Sequence, residues 1–283
     1  MKAIKIAIIA LVAFASGLKA QPGVLGNQPT NGLLKKEHVP NRAPVPYAQL
    51  READLMYEKW VWRTIDVREK INHNFYYPLE PLNNRVNLLK IVLDAVQEGS
   101  ITAYSSRDDE FTIPMTKEEV AGIGRRVDTL QIPDLYDPAI LRDTIITSSL
   151  EPKDILEWQL KEIWFFDKQK SIMDVRIIGM CPVRYVYDKA SGEFKGKQQM
   201  FWIYFPEARK TFAKTEVFNR FNDSERRTWD DIFWKRIFGS YIIKETNPFD
   251  RRIADYKIGM DALIEADRIK GDLMNIEHDL WDF

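Results

Sequence analysis

The sequence predicts an α+β protein: an antiparallel sheet backed by amphipathic helices, with a helix-rich C-terminal third and an extended, proline-rich N-terminal arm. The clearest strand signal lies in residues 172 to 205, without the regular strand-to-helix alternation of a parallel sheet. Elsewhere, apolar residues recur at helical spacing between capping residues and glycines. Residues 21–48 carry Pro22, Pro29, Pro40, Pro44 and Pro46 with Gly23, Gly26 and Gly32, and they show no apolar period. Such a stretch cannot bury enough surface to fold alone and reads as an arm ahead of an α+β domain over 49–283.

Taken in order, Tyr47 to about Arg63 begins as a helical pattern (Leu50, Leu55, Trp60), before Trp62, Ile65 and Val67 alternate as a strand does. A helix is expected from Asn84 to Glu98, with Asn84 as N-cap and Gly99 just past its end. Ile101 to Tyr104 and Glu110 to Ile113 suggest a short hairpin. Thr116 and Glu119 then form a capping box for a helix through Val127. Asp137-Pro138 and Glu151-Pro152 each read as a helix start, the second leading into Ile155, Leu156, Trp158 and Leu160. Strands follow over Ile172–Ile178 and Val183–Tyr187, then a turn-rich Asp188 to Gly196, then a run from Met200 to Phe205 that is apolar on both faces and so covered on both. Pro206 and Glu207 open a helix to about Phe218. Ser224 caps another that carries Trp229, Phe233, Ile237 and Phe238 and ends at Gly239, and helical spacing resumes from Ile253 to Leu280.

Residues 1–20 read as a signal peptide, with Lys2 and Lys5 ahead of the apolar run Ile6–Phe14 and small residues at Ala15 to Gly17. Cleavage is placed after Ala20, with Ala15 as the alternative. The apolar run is shorter than the roughly 20 residues of a spanning helix. Of 41 Lys and Arg, the three at Lys2, Lys5 and Lys19 leave with that segment, so 38 basic residues face 42 acidic ones, a net charge of −4. That balance provides no long-range attraction for nucleic acid or anionic lipid. Cys181 is the only cysteine, so no intramolecular disulfide can form; it reads as a strand hydrophobe or as one half of an intermolecular bridge.

No catalytic, cofactor or metal motif emerges. His38, His73 and His278 are scattered without metal-ligand spacing. The GEFKGK run over Gly192–Lys197 lacks the Ser or Thr and the helix of a phosphate loop and reads as a hairpin turn. Gly122-Ile123-Gly124 lacks a third glycine and lies inside an expected helix. No Ser sits in a nucleophile elbow, and the adjacent carboxylates Asp108-Asp109 and Asp230-Asp231 point in different directions on a strand or a helix. What stands out is the interleaving of aromatics with arginine between Trp229 and Arg252, residue types enriched at interface hot spots. The candidate protein interface is therefore Trp229, Phe233, Trp234, Arg236, Phe238, Tyr241, Phe249, Arg251 and Arg252.

Several ordered strings in the C-terminal half resemble a known family. They are Trp164–Lys168 (WFFDK), Met173–Gly179 (MDVRIIG), Trp202–Arg209 (WIYFPEAR), Val217–Asp223 (VFNRFND), Asp230–Phe233 (DDIF), Ser240–Thr246 (SYIIKET) and Glu277–Trp281 (EHDLW). Together they resemble the GldN/PorN family, over roughly residues 50 to 283. The resemblance implies a non-enzymatic structural subunit of a periplasmic ring in the type IX secretion system, which also powers gliding motility. It implies association with an outer-membrane lipoprotein of the GldK/PorK type, contact with the periplasmic part of a GldM/PorM type motor protein, and self-association within the ring. It implies no catalytic residues and no cofactors. Rival readings are a ligand-binding module that stacks sugars on exposed aromatics, and a secreted hydrolase whose carboxylates converge only in three dimensions.

Overall fold

In a computed structural model of the chain, described for residues 39–82, 85–133, 141–148, 150–188 and 192–279, antiparallel pairing organises nearly everything. Strands β1 (Leu55–Asp66), β2 (Ala103–Ser105), β5 (Ile155–Asp167), β6 (Ile172–Tyr187), β7 (Phe194–Gln199), β8 (Phe201–Tyr204) and β11 (Tyr241–Glu245) form one sheet. Its order is β11-β1-β5-β6-β8-β2, with β7 also on β6. Two separate hairpins are β3 (Arg126–Pro133) with β4 (Leu141–Ser148), and β9 (Glu216–Val217) with β10 (Arg227–Thr228). The helices are α1 (His73–Tyr76), α2 (Leu88–Glu98), α3 (Lys117–Gly122), α4 (Phe205–Phe212), α5 (Trp229–Trp234) and α6 (Met260–Asp279).

Register explains where the helices sit. Directly paired residues of antiparallel strands share a face, so Ile242, Arg63, Leu160, Met180, Ile203 and Ala103 form one continuous row across the sheet. Leu160, Met180, Ile203 and Ala103 belong to the main core, with α2, α4 and α5 supplying the other side through Leu88, Val92, Phe212, Trp229 and Phe233. Phe233 is the hub, with ring contacts to Phe75, Phe205, Phe212, Trp229 and Phe238. A smaller core joins Val61 and Ile242 to Ile253 and to Ala266, Ile269 and Leu273 of α6. Arg63, the one charge in that row, is 7% exposed and donates to the hydroxyl and carbonyl of Ser240, both at 3.0 Å.

Several sequence expectations shift, each for a local reason. Residues 55–66 are strand and not the tail of a helix, because Leu50, Leu55 and Trp60 recur every five residues and cannot share a helical face. Ile155 to Leu160 also lie in a strand: apolar Trp158 and Leu160 alternate with Glu157, Gln159 and Lys161, and the Glu151-Pro152 start yields only one 3-10 turn. The second helix begins at Leu88, capped by Asn87 and not Asn84, and ends as expected at Gly99 in the left-handed region. The Thr116–Glu119 capping box is present, but α3 stops at Gly122, Gly124 has φ +74° and Val127 lies in β3. Helix α4 ends at Phe212 and not Phe218, since Glu216 and Val217 pair with β10. The cap of α5 is Thr228, in a capping box with Asp231, and not Ser224. That helix ends at Trp234, well before Gly239. Tyr241 to Glu245, between the two helices expected in the C-terminal third, forms an edge strand of the sheet, and α6 begins only at Met260. The long strand signal is realised as β6, β7 and β8, with Phe201, Trp202 and Ile203 all buried. The Asp137-Pro138 helix start lies outside the described residues.

Residues 39–48, the described end of the expected arm, lie against α4 and α5. Arg42 makes a bidentate pair with Asp231 at 2.6 and 2.7 Å, and the Tyr47 ring lies 4.4 Å under the Arg209 guanidinium and 5.6 Å from Trp234. Arg209 is itself buried against Asp230, at 2.7 and 3.1 Å. Burial alone would raise the Asp231 carboxyl, but the Thr228 N–H and Arg42 hold it below the usual carboxylate range.

Two outcomes follow. Phe233→Ala should lower stability by about 3–5 kcal/mol, as for other fully buried aromatics, measured by denaturant unfolding. A depressed carboxylate favours the folded state, so the Asp231 anchor contributes fully above the ordinary aspartate pKa of about 4 and fades as pH falls through its lower folded value. The anisotropy of a fluorophore at exposed position 45 should drop over that acid range in the parent chain, and should already be low at neutral pH in Arg42→Ala.

Candidate functional site

The opposite face of the sheet is built from the neighbouring row, Lys244, Trp62, Lys161, Gly179 and Tyr204, again register partners in sequence across β11, β1, β5, β6 and β8. Lys244, Trp62 and Lys161 help line a cleft of about 750 Å³ with Trp60, Trp202, Asp250 and the 106–111 loop. Lys161 is only 7% exposed, and its ammonium lies 4.8 Å from the Trp60 ring centre, 5.6 Å from Trp62 and 5.8 Å from Phe111. Lys244 lies 4.3 Å over Trp62 and pairs with Asp250. Trp60 and Trp62 thus hold the chain's own cations.

A strap formed by residues 105–114 closes one side. Ser105 N–H donates to the Ile113 carbonyl at 2.9 Å, while Asp108 closes the turn by accepting from Glu110 N–H and the Thr112 hydroxyl. Asp109 fastens the strap to the sheet. Its carboxylate accepts from Trp62 Nε1 at 2.5 Å and its carbonyl from Lys161 Nζ at 2.7 Å. The expected hairpin here is reduced to a few bonds, because Ala103–Ser105 spends its pairing on β8. Phe111, held at φ +61°, points the tip of its ring at Gly179, where an added Cβ would sit 2.5 Å from Cζ. Gly179 therefore has no side chain because Phe111 occupies its space.

Further along β5, Gln159 pairs with Gln199, and Glu157, 1% exposed, takes Lys197 Nζ at 2.7 Å and the Tyr185 hydroxyl. Burial and this carboxylate raise the Tyr185 hydroxyl, while burial pushes Tyr241 up to about 12, so both stay neutral at physiological pH. Cys181, on β6 beside Gln159, is fully buried and its thiol is pushed up to about 12, so it stays protonated inside the sheet. Among the described residues no group of three or more His, Cys, Asp or Glu could hold a metal ion. His73 opens α1 and His278 lies in the last turn of α6; His38 is outside the described residues. No described helix is long and apolar enough to cross a membrane.

The nine candidate interface residues divide. Trp229, Phe233 and Phe238 are buried in the main core. Arg236 turns inward to the fully buried Glu162, at 2.9 and 3.1 Å, and Tyr241 is half-buried on the edge strand. Trp234, Phe249, Arg251 and Arg252 are exposed. Arg251 stacks at 4.3 Å on Phe249 in a loop closed by Asn247, while Arg252 reaches the cleft. The strap and the Lys161 cage went unnoticed in the sequence. The signal was present in the alternation of Trp60, Trp62 and Lys161, but the contacts to Asp109 cross about fifty positions.

Gly179→Ala should therefore expel Phe111 and loosen the strap. The expected result is faster amide exchange confined to residues 105–112, with a stability loss of about 1–3 kcal/mol, the range for overpacked sites.

A family model described as gliding motility associated protein GldN matches residues 50–282. No curated protein matches the chain. The match takes in β1 through α6, both cores, the strap and the cleft, which is nearly everything described above. This chain belongs to the GldN family and is a protein associated with gliding motility and type IX secretion.

Proposed function

We propose that this chain is a non-enzymatic structural subunit of a periplasmic ring in the type IX secretion system, serving protein secretion across the outer membrane and gliding where the cell glides. In this reading residues 1–20 direct export, and residues 21–38 join the docked 39–48 segment to form an arm. The subunit is held at the outer membrane through a lipoprotein of the GldK/PorK type. It also meets the periplasmic part of a GldM/PorM type motor protein and further copies of itself.

The observation that carries this is the apolar surface at the start of α6. Met260, Leu263 and Ile264 are spaced i, i+3 and i+4, so they share a helical face. Met260 is 70% exposed and Ile264 60%, and Ile258 just ahead of the helix is 87% exposed. The helix secures itself to its own domain through a different face, that of Ala266, Ile269 and Leu273. A contiguous apolar patch of this kind marks surface that an assembly removes from water. Exposed Phe249 and Trp234 add aromatic anchors of the type found at interface centres.

Replacing Met260 and Ile264 together by Glu should leave thermal stability nearly unchanged, since neither side chain is buried. It should reduce recovery of the subunit in a large complex with a lipoprotein when native envelopes are solubilised. A parent protein found as a well-behaved monomer in those envelopes would sink the ring reading.

A further inference from the structure

Strand β6 is sixteen residues long, yet its outer edge is only partly used. β7 pairs with Val183–Tyr187 and β8 with Gly179 and Met180, so Ile172–Ile177 pair with β5 on one side and, with Ile178 at a bulge, face no described strand on the other. Two backbone donors there are taken by carboxylates: Met173 N–H donates to Glu277 Oε1 at 3.3 Å and Val175 N–H to Asp174 Oδ1 at 2.8 Å. The chain's own 44–48 segment passes beside this edge without pairing, since Pro44 and Pro46 have no N–H to offer; Arg176 meets it by donating to the Ala48 carbonyl at 2.6 Å and by lying against the Tyr47 ring. Between the edge, Tyr47 and α4–α5 lies a pocket of about 330 Å³, lined by Met173, Val175, Phe205, Trp234 and Arg209. Arg176 is the charge left over. No described carboxylate pairs with it; its guanidinium lies against the rings of Tyr47 and Phe165, and its buried Nε has no partner.

We propose that the Ile172–Ile178 edge receives an added β-strand from a different protein, an extended, proline-poor segment with an acidic side chain opposite Arg176 and an apolar one entering the adjacent pocket. Main-chain pairing supplies affinity in this mode and alternate side-chain pockets supply specificity. The carboxylates of Asp174 and Glu277 hold the places that the incoming carbonyls take. Charge selects the partner over a second copy's arm: residues 39–48 carry Arg42 and no acid, and three prolines interrupt their donors. The pocket lies next to the docked Tyr47, so the arm forms one wall of the site. The proposal is independent of whether the chain forms a ring.

The test places a photo-crosslinking phenylalanine derivative at Ile172 or at Asp174, both exposed and two residues apart, in the full-length chain within its own cells. Mapped crosslinks from the two positions should fall two residues apart in one segment of another polypeptide. Val175→Pro removes an edge N–H that is outside the β5 ladder, and an edge strand tolerates it; Arg176→Glu reverses the charge. Each should abolish that crosslink, while crosslinks reporting the apolar face of α6 persist. Crosslinks confined to residues 39–48 of the same chain, falling on a second copy, lacking the two-residue spacing, or absent altogether would overturn the proposal.

Discussion

Everything in this fold follows from the alternation along β5. Successive side chains of a strand leave on opposite faces, so Trp158 and Leu160 go to one side while Glu157, Gln159 and Lys161 go to the other. The first side can only be satisfied by apolar helices, and α2, α4 and α5 gather there. The second cannot be covered by the same kind of helix without stranding its charges. It is closed instead by a strap that brings a carboxylate and a phenylalanine to Lys161. Strand pairing propagates this choice in both directions, because directly paired residues share a face, with the register shifting only at bulges.

The buried charges are the second consequence. Arg209 meets Asp230, Arg236 meets Glu162, Lys161 meets Asp109 and Glu157 meets Lys197. Taking such pairs out of water offsets most of their attraction, so they add little net stability. Their value here lies in position. Arg209 binds α4 to α5 and supplies the platform for Tyr47, Arg236 ties the end of α5 down to β5, and Lys161 decides where the strap lands. Removing Asp230, Asp109, Lys197 or Arg236 would leave the buried member of its pair without a counter-charge, which explains why Arg209, Lys161, Glu157 and Glu162 each have a complement within reach.

Much of the architecture was legible in the sequence, and the failures have a common cause. The β6–β8 region, Gly99 as a helix terminator and the Thr116–Glu119 box rest on local chemistry, and local chemistry is what a sequence displays. The helix readings of Leu55–Arg63 and Ile155–Leu160 failed because polar residues on a sheet's second face look like the solvent side of a helix. Only a strap arriving from residues 105–114 makes Lys161 acceptable on a buried strand. The interface candidates suffered likewise. Trp229 and Phe233 carry the same composition as a hot spot, but they meet Phe75, Phe205 and Phe212 from other elements, and nothing within 229–252 announces those partners.

What remains at the surface is therefore more informative than the aromatic count. The molecule solves the problem of its two sheet faces internally, one with helices and one with a strap, and the described residues leave three features largely uncovered: the apolar flank of α6, the loop of Phe249 and Arg251, and the Ile172–Ile178 part of the outer edge of β6. These differ in the physics they offer. The first removes apolar area from water without specifying a direction, the second adds a cation stacked on an aromatic ring, and the third fixes orientation through backbone donors at strand spacing. A subunit that must be held in one geometry among several neighbours needs both kinds of contact, because burial alone gives adhesion and directional pairing gives register. The Arg42 and Tyr47 dock places the beginning of the domain next to the most directional of the three.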